Sequence, residues 1–103
     1  MKNKLTIILP LLDREEHTKI WIDSNITSEF EYIIADGSSN NKNQLLFMKK
    51  ELPNVQYIRY PHDKTIKDFL YKMADSSLKS KTEYTMTVDN DDFLNFDGIK
   101  KCI

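Results

Sequence analysis

Four short apolar runs alternate with helical segments along this chain, and that alternation limits the possible folds more than any other feature. The runs are Leu5 to Leu9, Tyr32 to Ala35, Val55 to Tyr60 and Tyr84 to Val88. The first two are nearly continuous and rich in β-branched residues, which is typical of strands with helices on both faces. We therefore expect four strands of a mostly parallel sheet.

Helical patterns fill the gaps between these runs. The predicted segments are Arg14 to Ser24, with Asp13 as N-cap and Ile20 and Trp21 as apolar anchors, then Gln44 to Leu52, and Thr65 to Leu78. The second segment stops at Pro53, because proline disfavours helix in the residue before it. The third carries apolar side chains at spacings of three and four, which predicts one buried helix face: Ile66, Phe69, Leu70, Met73 and Ala74. A further helix is expected after Asp97-Gly98.

The order β-α-β-α-β-α-β predicts an α/β fold, a three-layer sandwich whose parallel strands are joined by right-handed crossovers. Residues 1–103 make one small domain. The formal net charge is −1 with no clustered basic segment, which argues against a nucleic-acid partner. Cys102 is the sole cysteine and cannot form an internal disulfide, so a reduced, cytoplasmic setting is expected.

Acidic and turn-forming residues follow every one of the four runs. They are Pro10-Leu11-Leu12-Asp13, Asp36-Gly37-Ser38-Ser39, Pro61-His62-Asp63 and Asp89-Asn90-Asp91-Asp92. Ligands of open parallel sheets bind outside the carboxyl ends of the strands. The sequence therefore predicts that these four stretches converge on one binding site, with His62 as a secondary candidate for ligand contact.

Three aspartates crowd into positions 89–92 directly after the fourth run. Like charges this close raise one another's pKa unless a cation neutralises them, and Mg²⁺ and Mn²⁺ prefer oxygen ligands. Residues two apart in an extended strand point the same way, so Asp89 and Asp91 are expected to face one metal. The alternative is a solvated acidic turn in which Asp92 or Asn95 caps the next helix.

The turn after the second run is the other candidate for ligand contact. Gly37 permits a positive φ there, and the hydroxyls of Ser38 and Ser39 can bond backbone groups. Asp36 could accept hydrogen bonds from a nucleobase or a ribose hydroxyl. The alternative is that these residues bind no ligand and form an ordinary loop.

Taken together, these stretches resemble the first half of a GT-A-type glycosyltransferase of the large family 2. That family opens with a strand running into Pro-Thr-Tyr-Asn-Arg-Glu, where this chain reads Pro-Leu-Leu-Asp-Arg-Glu from Pro10. The family's Asp-Gly-Gly-Ser or Asp-Asp-Gly-Ser corresponds to the turn at Asp36. Its Gly-Glu-Tyr and Leu-Asp-Ala-Asp-Asp correspond to Thr82-Glu83-Tyr84 and residues 88–92. Order and spacing fit over essentially the whole chain, although Leu11 and Leu12 replace the usual Thr and Tyr.

The resemblance implies that a nucleotide-diphosphate sugar lies across the strand ends and that its sugar passes to the hydroxyl of a saccharide or lipid-linked acceptor. The residues implied in donor binding are Pro10, Asp13, Asp36, Lys67, Asp89 and Asn90. Asp89 and Asp91 would hold Mn²⁺ or Mg²⁺, and either Lys67 or Lys72 would contact the diphosphate. The family's catalytic base lies in the second half of its fold, which residues 1–103 lack, so no catalytic residue is assigned.

Three hypotheses follow for the function. The first is the donor-binding half of a metal-dependent glycosyltransferase in polysaccharide or glycoconjugate synthesis, cytoplasmic or peripheral to a membrane. The second is a non-catalytic oligomerising or regulatory module that keeps the half-fold. The third is another phosphate-handling α/β protein, such as a nucleotidyltransferase. Because half a fold leaves a sheet edge open, we expect self-association into a homo-oligomer.

Overall fold

The computed structural model describes residues 4–61, 63–91 and 93–102. Its strands are β1 (Leu5–Leu11), β2 (Glu31–Asp36), β3 (Val55–Arg59) and β4 (Tyr84–Thr87), and its helices are α1 (Glu15–Asn25), α2 (Lys42–Met48), α3 (Ile66–Leu78) and α4 (Phe96–Cys102). Strands and helices alternate, which confirms the predicted α/β class. None of the helices in these ranges combines the length and apolar composition that a membrane crossing needs.

All four strands are parallel, and their order across the sheet is β3-β2-β1-β4. The chain moves outward from β1 to β2 and β3, then returns past β2 and β1 to place β4 on the far side of β1. A right-handed crossover in the reverse direction puts its helix on the opposite face of the sheet. This explains why α3 covers the face opposite α1 and α2, which gives the expected three layers.

The main core lies between the sheet and the helices α1, α2 and α4. Alternate side chains of β1 and β2 point into it and pack on Trp21, Ile22 and Phe47. The Trp21 ring meets the Tyr32 ring edge-on, with centroids 6.0 Å apart. The prediction of Trp21 as a core residue is confirmed. Its expected companion Ile20 is 56% exposed, because the helix turns Ile22 to the sheet in its place.

Helix α3 is oriented differently from the prediction. The residues it buries are Lys72 and Ser76, whereas Ile66, Leu70 and Leu78 are 81%, 61% and 85% exposed. The expected burial of its apolar face, including Phe69, is therefore wrong. The physical reason lies beneath the helix, where the partners of the Lys72 ammonium are a carboxylate and a strand-end carbonyl.

The predicted helix boundaries need two corrections. Helix α1 has Arg14 at its N-cap position and no side-chain cap, because the carboxylate of Asp13 is bonded elsewhere. Helix α2 ends at Met48 rather than at Leu52. The chain after it turns so that the Asn54 amide can donate to two carbonyl oxygens of the α1–β2 connection, both at 2.7 Å.

A capping box fixes the start of α3. The Thr65 hydroxyl accepts from the backbone N–H of Asp68 at 3.1 Å, and the Asp68 carboxylate accepts from the backbone N–H of Thr65 at 3.2 Å. These bonds satisfy donors that a helix start otherwise leaves open. They hold the first turn of α3 beside the carboxyl ends of β1 and β4. Helix α4 begins at Phe96, slightly before the expected start.

Candidate functional site

A cavity of about 550 Å³ opens at the carboxyl ends of β1 and β4. It is lined by Pro10, Leu11, Leu12 and Arg14 after β1, by Asp89 and Asn90 after β4, and by Asp63, Lys64, Thr65, Ile66, Phe69 and Lys72 around the start of α3. We call it the strand-end pocket. β1 and β4 are the two strands between which the direction of the chain reverses, and open α/β sheets bind their ligands at that switch point.

A buried ion pair lies in the wall of the strand-end pocket. The Lys72 Nζ is 2.5 Å from Oδ2 of Asp63 and donates to the Leu11 carbonyl oxygen at 3.2 Å. The same ammonium lies 5.3 Å from the centre of the Phe69 ring. A lysine carries three N–H donors, and these contacts use two of them. Lys67 is exposed and does not line the pocket, so of the two lysines left open by the sequence, Lys72 is the one at the pocket.

Gly37 matters through close packing rather than through backbone freedom. No described glycine has a positive φ, so Gly37 does not use the backbone freedom that glycine permits. A Cβ at this position would lie 2.4 Å from both Cβ and Oδ2 of Asp63. Only glycine therefore lets the turn after β2 approach Asp63 this closely. The turn packs against the Asp63 side chain and keeps its carboxylate beside Lys72.

The loop after β1 has an unusual backbone. Asp13 and Arg14 are both left-handed, with φ of 59° and 57°. Each such residue costs on the order of 1–3 kcal/mol and persists only where its surroundings hold it. Here the backbone N–H of Asp13 donates to Ser38 Oγ at 2.6 Å, and the Asp13 carboxylate accepts from the backbone N–H and the hydroxyl of Ser39 at 3.0 and 3.1 Å. Asp13 thus joins the turns after β1 and β2, and it does not line the pocket.

Two asparagine amides hold the same loop from opposite sides. Asn43 on α2 donates to the Asp13 carbonyl oxygen at 2.9 Å. Asn90, after β4, is 3.5 Å from the Arg14 carbonyl oxygen and 3.4 Å from Thr18 Oγ1. The wall of the strand-end pocket is therefore tied to the turns that follow both neighbouring strands.

Asp36 lies at the end of β2 and is fully buried. Its carboxylate accepts from the Tyr57 hydroxyl and, at 2.9 Å, from the Ser38 backbone N–H, and it is 3.7 Å from the Arg59 guanidinium. Burial and the neighbouring carboxylate raise the pKa of Tyr57. Asp36 thus fixes the turn after β2 and does not line the strand-end pocket. Its contact with a nucleobase stays a prediction.

Asp89 and Asp91 face different cavities. Asp89 lines the strand-end pocket, whereas Asp91 lines a separate cavity of about 110 Å³ beside His17 and Trp21, and Asn90 lines both. The expectation of a shared direction assumed extended backbone, but the chain turns at residues 90–91. His62 and Asp92 lie outside the described residues.

The acidic residues of the strand-end pocket are compatible with one divalent cation on a phosphate ligand. Within the described ranges, no group of three or more His, Cys, Asp or Glu side chains is arranged to hold a metal ion by itself. Mg²⁺ sites commonly use one or two carboxylates with the remaining positions filled by substrate phosphates and water. The pocket offers two carboxylates for such a pattern, Asp89 and Asp63, and Asp63 is the one that forms the ion pair with Lys72.

The structure brings together three of the expected donor-binding residues, Pro10, Asp89 and Asn90. Asp13, Asp36, Lys67 and Asp91 do not line the same pocket. The sequence predicted Asp63 at the site only as part of the stretch after the third run, and it gave no site role to Arg14. No protein-family model matches the chain, and no curated protein matches it. The glycosyltransferase resemblance therefore rests on the three motifs alone.

Proposed function

We propose that the strand-end pocket binds a nucleotide-diphosphate sugar and that residues 1–103 are the donor-binding part of a metal-dependent glycosyltransferase. The observation that carries the proposal is the presence of a lysine ammonium, Lys72, and a carboxylate, Asp89, in one pocket at the switch point of a parallel sheet. The domain would act in the cytoplasm or at the periphery of a membrane.

The polar side chains of the pocket suit a diphosphate. Lys72 has a third N–H donor for a phosphate oxygen while it stays bonded to Asp63 and Leu11. The Arg14 guanidinium, which lines the same pocket, adds a second cation able to bond two phosphate oxygens at once. These two positive groups would offset the negative charge of the diphosphate.

Asp89 would hold Mn²⁺ or Mg²⁺ together with diphosphate oxygens and water. When bound, the metal supplies stabilisation of the negative charge that grows on the leaving diphosphate. In the transfer, the bond from the anomeric carbon to the diphosphate breaks, and that carbon bonds to the acceptor oxygen. The acceptor proton passes to a base, and no residue of this chain is assigned to that role.

Apolar side chains at the rim offer a surface for the rest of the donor. Leu12, Ile66 and Phe69 line the pocket and are 54%, 81% and 41% exposed. A nucleobase packed against them would remove this apolar area from water. Most ligand pockets combine such apolar walls with a few polar groups that fix orientation.

Calorimetric titration of several nucleotide-diphosphate sugars, with and without Mn²⁺, tests the proposal. We expect binding that needs Mn²⁺, and we expect Asp89→Asn to remove that dependence. Asp91→Asn is the matched control, because Asp91 faces the other cavity. Lys72→Met should weaken binding by about tenfold or more, equivalent to about 1.4 kcal/mol, whereas Lys67→Met should leave it unchanged. A folded chain that binds none of these ligands, or one whose binding ignores both Asp89→Asn and Lys72→Met, would overturn the proposal.

The second candidate is a non-catalytic oligomerising module. The large exposed apolar side chains of α3 favour it, since exposed apolar patches mark interaction sites. The same titration separates the two candidates, because this module would self-associate without binding a nucleotide.

A further inference from the structure

The carboxylate expected to contact a nucleobase is closed off from ligands. Asp36 is fully buried at the end of β2 and does not line the strand-end pocket. One of its oxygens accepts from the Tyr57 hydroxyl and the other from the backbone N–H of Ser38, and the Arg59 guanidinium lies 3.7 Å away. A base could bond to this carboxylate only after the turn had opened, so Asp36 is poorly placed to recognise one.

The rim of the strand-end pocket is apolar where it is most open. Leu12 follows β1, and Ile66 and Phe69 belong to the first turns of α3. Their side chains carry no hydrogen-bond donor or acceptor with which to distinguish one base from another. Ile66 is 81% exposed, so both the smaller pyrimidines and the larger purines have room on this side of the pocket.

Phe69 offers an aromatic surface at this rim. The Lys72 ammonium lies 5.3 Å from the centre of the Phe69 ring. Because Lys72 is buried beneath α3 and Phe69 is 41% exposed, the ammonium lies on the inner side of the ring and the outer side is open to a ligand. Stacking of a base on an aromatic side chain raises affinity by about fivefold or more, and it tolerates any base because every base has a π-face.

The polar side chains next to this rim are unselective. The Thr65 hydroxyl already accepts from the backbone N–H of Asp68, so it has its O–H donor to offer a ligand. Lys64 is exposed and lines the pocket, and its ammonium carries donors alone. Every nucleobase presents acceptors, either ring nitrogens or carbonyl oxygens. Thr65 and Lys64 can therefore bond to any base without selecting one.

We propose that the strand-end pocket accepts nucleoside diphosphates with little regard to the base, and that the base stacks on Phe69. This inference rests on the proposed function, and it replaces the predicted contact between the base and Asp36. Apolar sites discriminate between related ligands by about a hundredfold, whereas a site that hydrogen-bonds its ligand rejects the wrong one by about 10⁴-fold or more. Selectivity in this pocket lies in the diphosphate.

Calorimetric titration of UDP, CDP, ADP and GDP with Mn²⁺ tests base tolerance, and inorganic pyrophosphate serves as the ligand without a base. The four nucleotides should bind within about a hundredfold of one another. Phe69→Ala should weaken all four, each by about fivefold or more, and should leave pyrophosphate unchanged. Phe69→Tyr keeps the aromatic ring and should retain the wild-type affinities. Leu70→Ala is the matched control, because Leu70 is exposed on the same helix and does not line the pocket.

Failure of the donor pocket and failure of base tolerance give different results. If neither the nucleotides nor pyrophosphate bind to the folded chain, the proposed function falls and base tolerance falls with it. If nucleotides bind with Mn²⁺ but their affinities spread over more than about a hundredfold, base tolerance alone is overturned. Nucleotide affinities that Phe69→Ala does not change would overturn the stacking on Phe69.

A measurement on the wild-type chain covers the case in which Phe69→Ala does not fold or loses pyrophosphate binding as well. Nuclear Overhauser contacts should join the base protons of each of the four nucleotides to the Phe69 ring when Mg²⁺ replaces the paramagnetic Mn²⁺. Contacts of this kind with all four nucleotides would support the proposal. Bound nucleotides that show none, or a single base that alone reaches the ring, would overturn it.

Discussion

The Lys72 ammonium and the Asp63 carboxylate form an ion pair with 2.5 Å between Nζ and Oδ2, and their side chains are only 1% and 6% exposed. The pair joins α3 to the segment after β3 at the point where the strand-end pocket opens. Removal of one partner leaves a buried charge without its counter-ion, which is far more costly than the loss of an exposed pair.

Lys72→Met should therefore lower the free energy of unfolding by about 3–5 kcal/mol. Urea denaturation measures this change. The matched control is Lys67→Met on the exposed side of the same helix, which should stay within about 0.5 kcal/mol of wild type. The double variant Lys72→Met with Asp63→Leu should recover part of the loss, because it removes both charges. If Lys72→Met and Lys67→Met lowered the free energy of unfolding equally, the role assigned to the Lys72–Asp63 pair would be contradicted.

Gly37→Ala should destabilise the fold through a steric conflict with Asp63. The added Cβ would meet Asp63 atoms at 2.4 Å, and overpacking of this kind costs about 1–3 kcal/mol. Gly98→Ala is the control, because its nearest contact is a flexible Asn95 side chain at 3.3 Å. The midpoint of urea unfolding should fall for Gly37→Ala and change much less for Gly98→Ala. A neutral Gly37→Ala would show that the turn after β2 can move away from Asp63.

Stability should fall in alkaline solution through two tyrosines, the partly buried Tyr57 and the buried Tyr60. Burial, with hydrogen bonds to Asp36 and Asp75 respectively, raises the pKa of Tyr57 and of Tyr60 above the ordinary 10.0. A raised pKa in the folded chain contributes stability that is complete below pH 10 and is lost as pH rises further, because the unfolded chain releases its proton first. Unfolding free energies measured above pH 10 should therefore decline with pH.

Tyr57→Phe and Tyr60→Phe should each reduce that decline, by at most about 1.4 kcal/mol per pH unit. Each variant also loses a hydrogen bond at neutral pH, so the slope against pH is the diagnostic quantity rather than the stability at one pH. If neither substitution changes the slope, the pKa values of the two hydroxyls are no higher in the folded chain than in the unfolded one.

Thr65→Ala should weaken the start of α3. It removes the side-chain acceptor of the capping box, and the loss of an N-cap costs about 1 kcal/mol. Ser77→Ala is the control on the same helix, where alanine is the better helix former and the serine hydroxyl only bonds back to the Met73 carbonyl. Thermal unfolding of both variants should show a loss for Thr65→Ala alone. A similar loss for both would mean that the cap contributes nothing specific.

β1 and β2 could be predicted from sequence because their apolar residues are consecutive and buried on both faces. β1 and β2 contain no charged residue before their last positions except Glu31, and both lie in the middle of the sheet. Helix α3 could not be oriented in the same way. Periodicity indicated its apolar face but not which face meets the sheet. The Asp63 carboxylate and the Leu11 carbonyl lie beneath the helix, so the face that carries Lys72 is buried instead of the apolar one.

The sequence predicted where the candidate site lies better than it predicted which residues line it. Parallel topology alone brings the four strand ends to one edge, which anticipated the strand-end pocket. The directions of individual side chains depend on local turns that the pattern did not reveal. The turn at residues 90–91 separates Asp91 from Asp89, and the left-handed Asp13 directs its carboxylate to Ser39 rather than to the pocket.

The central position of β1 has a consequence for biosynthesis. β1 needs β4 as its second neighbour, and about 70 residues separate the end of β1 from the start of β4 along the chain. At ribosomal rates of roughly 5–20 residues per second, a nascent β1 would wait about 4–14 s for that neighbour. During this interval its apolar residues are available to chaperones or to other nascent chains, so the yield of folded protein should respond to the speed of translation between residues 37 and 84.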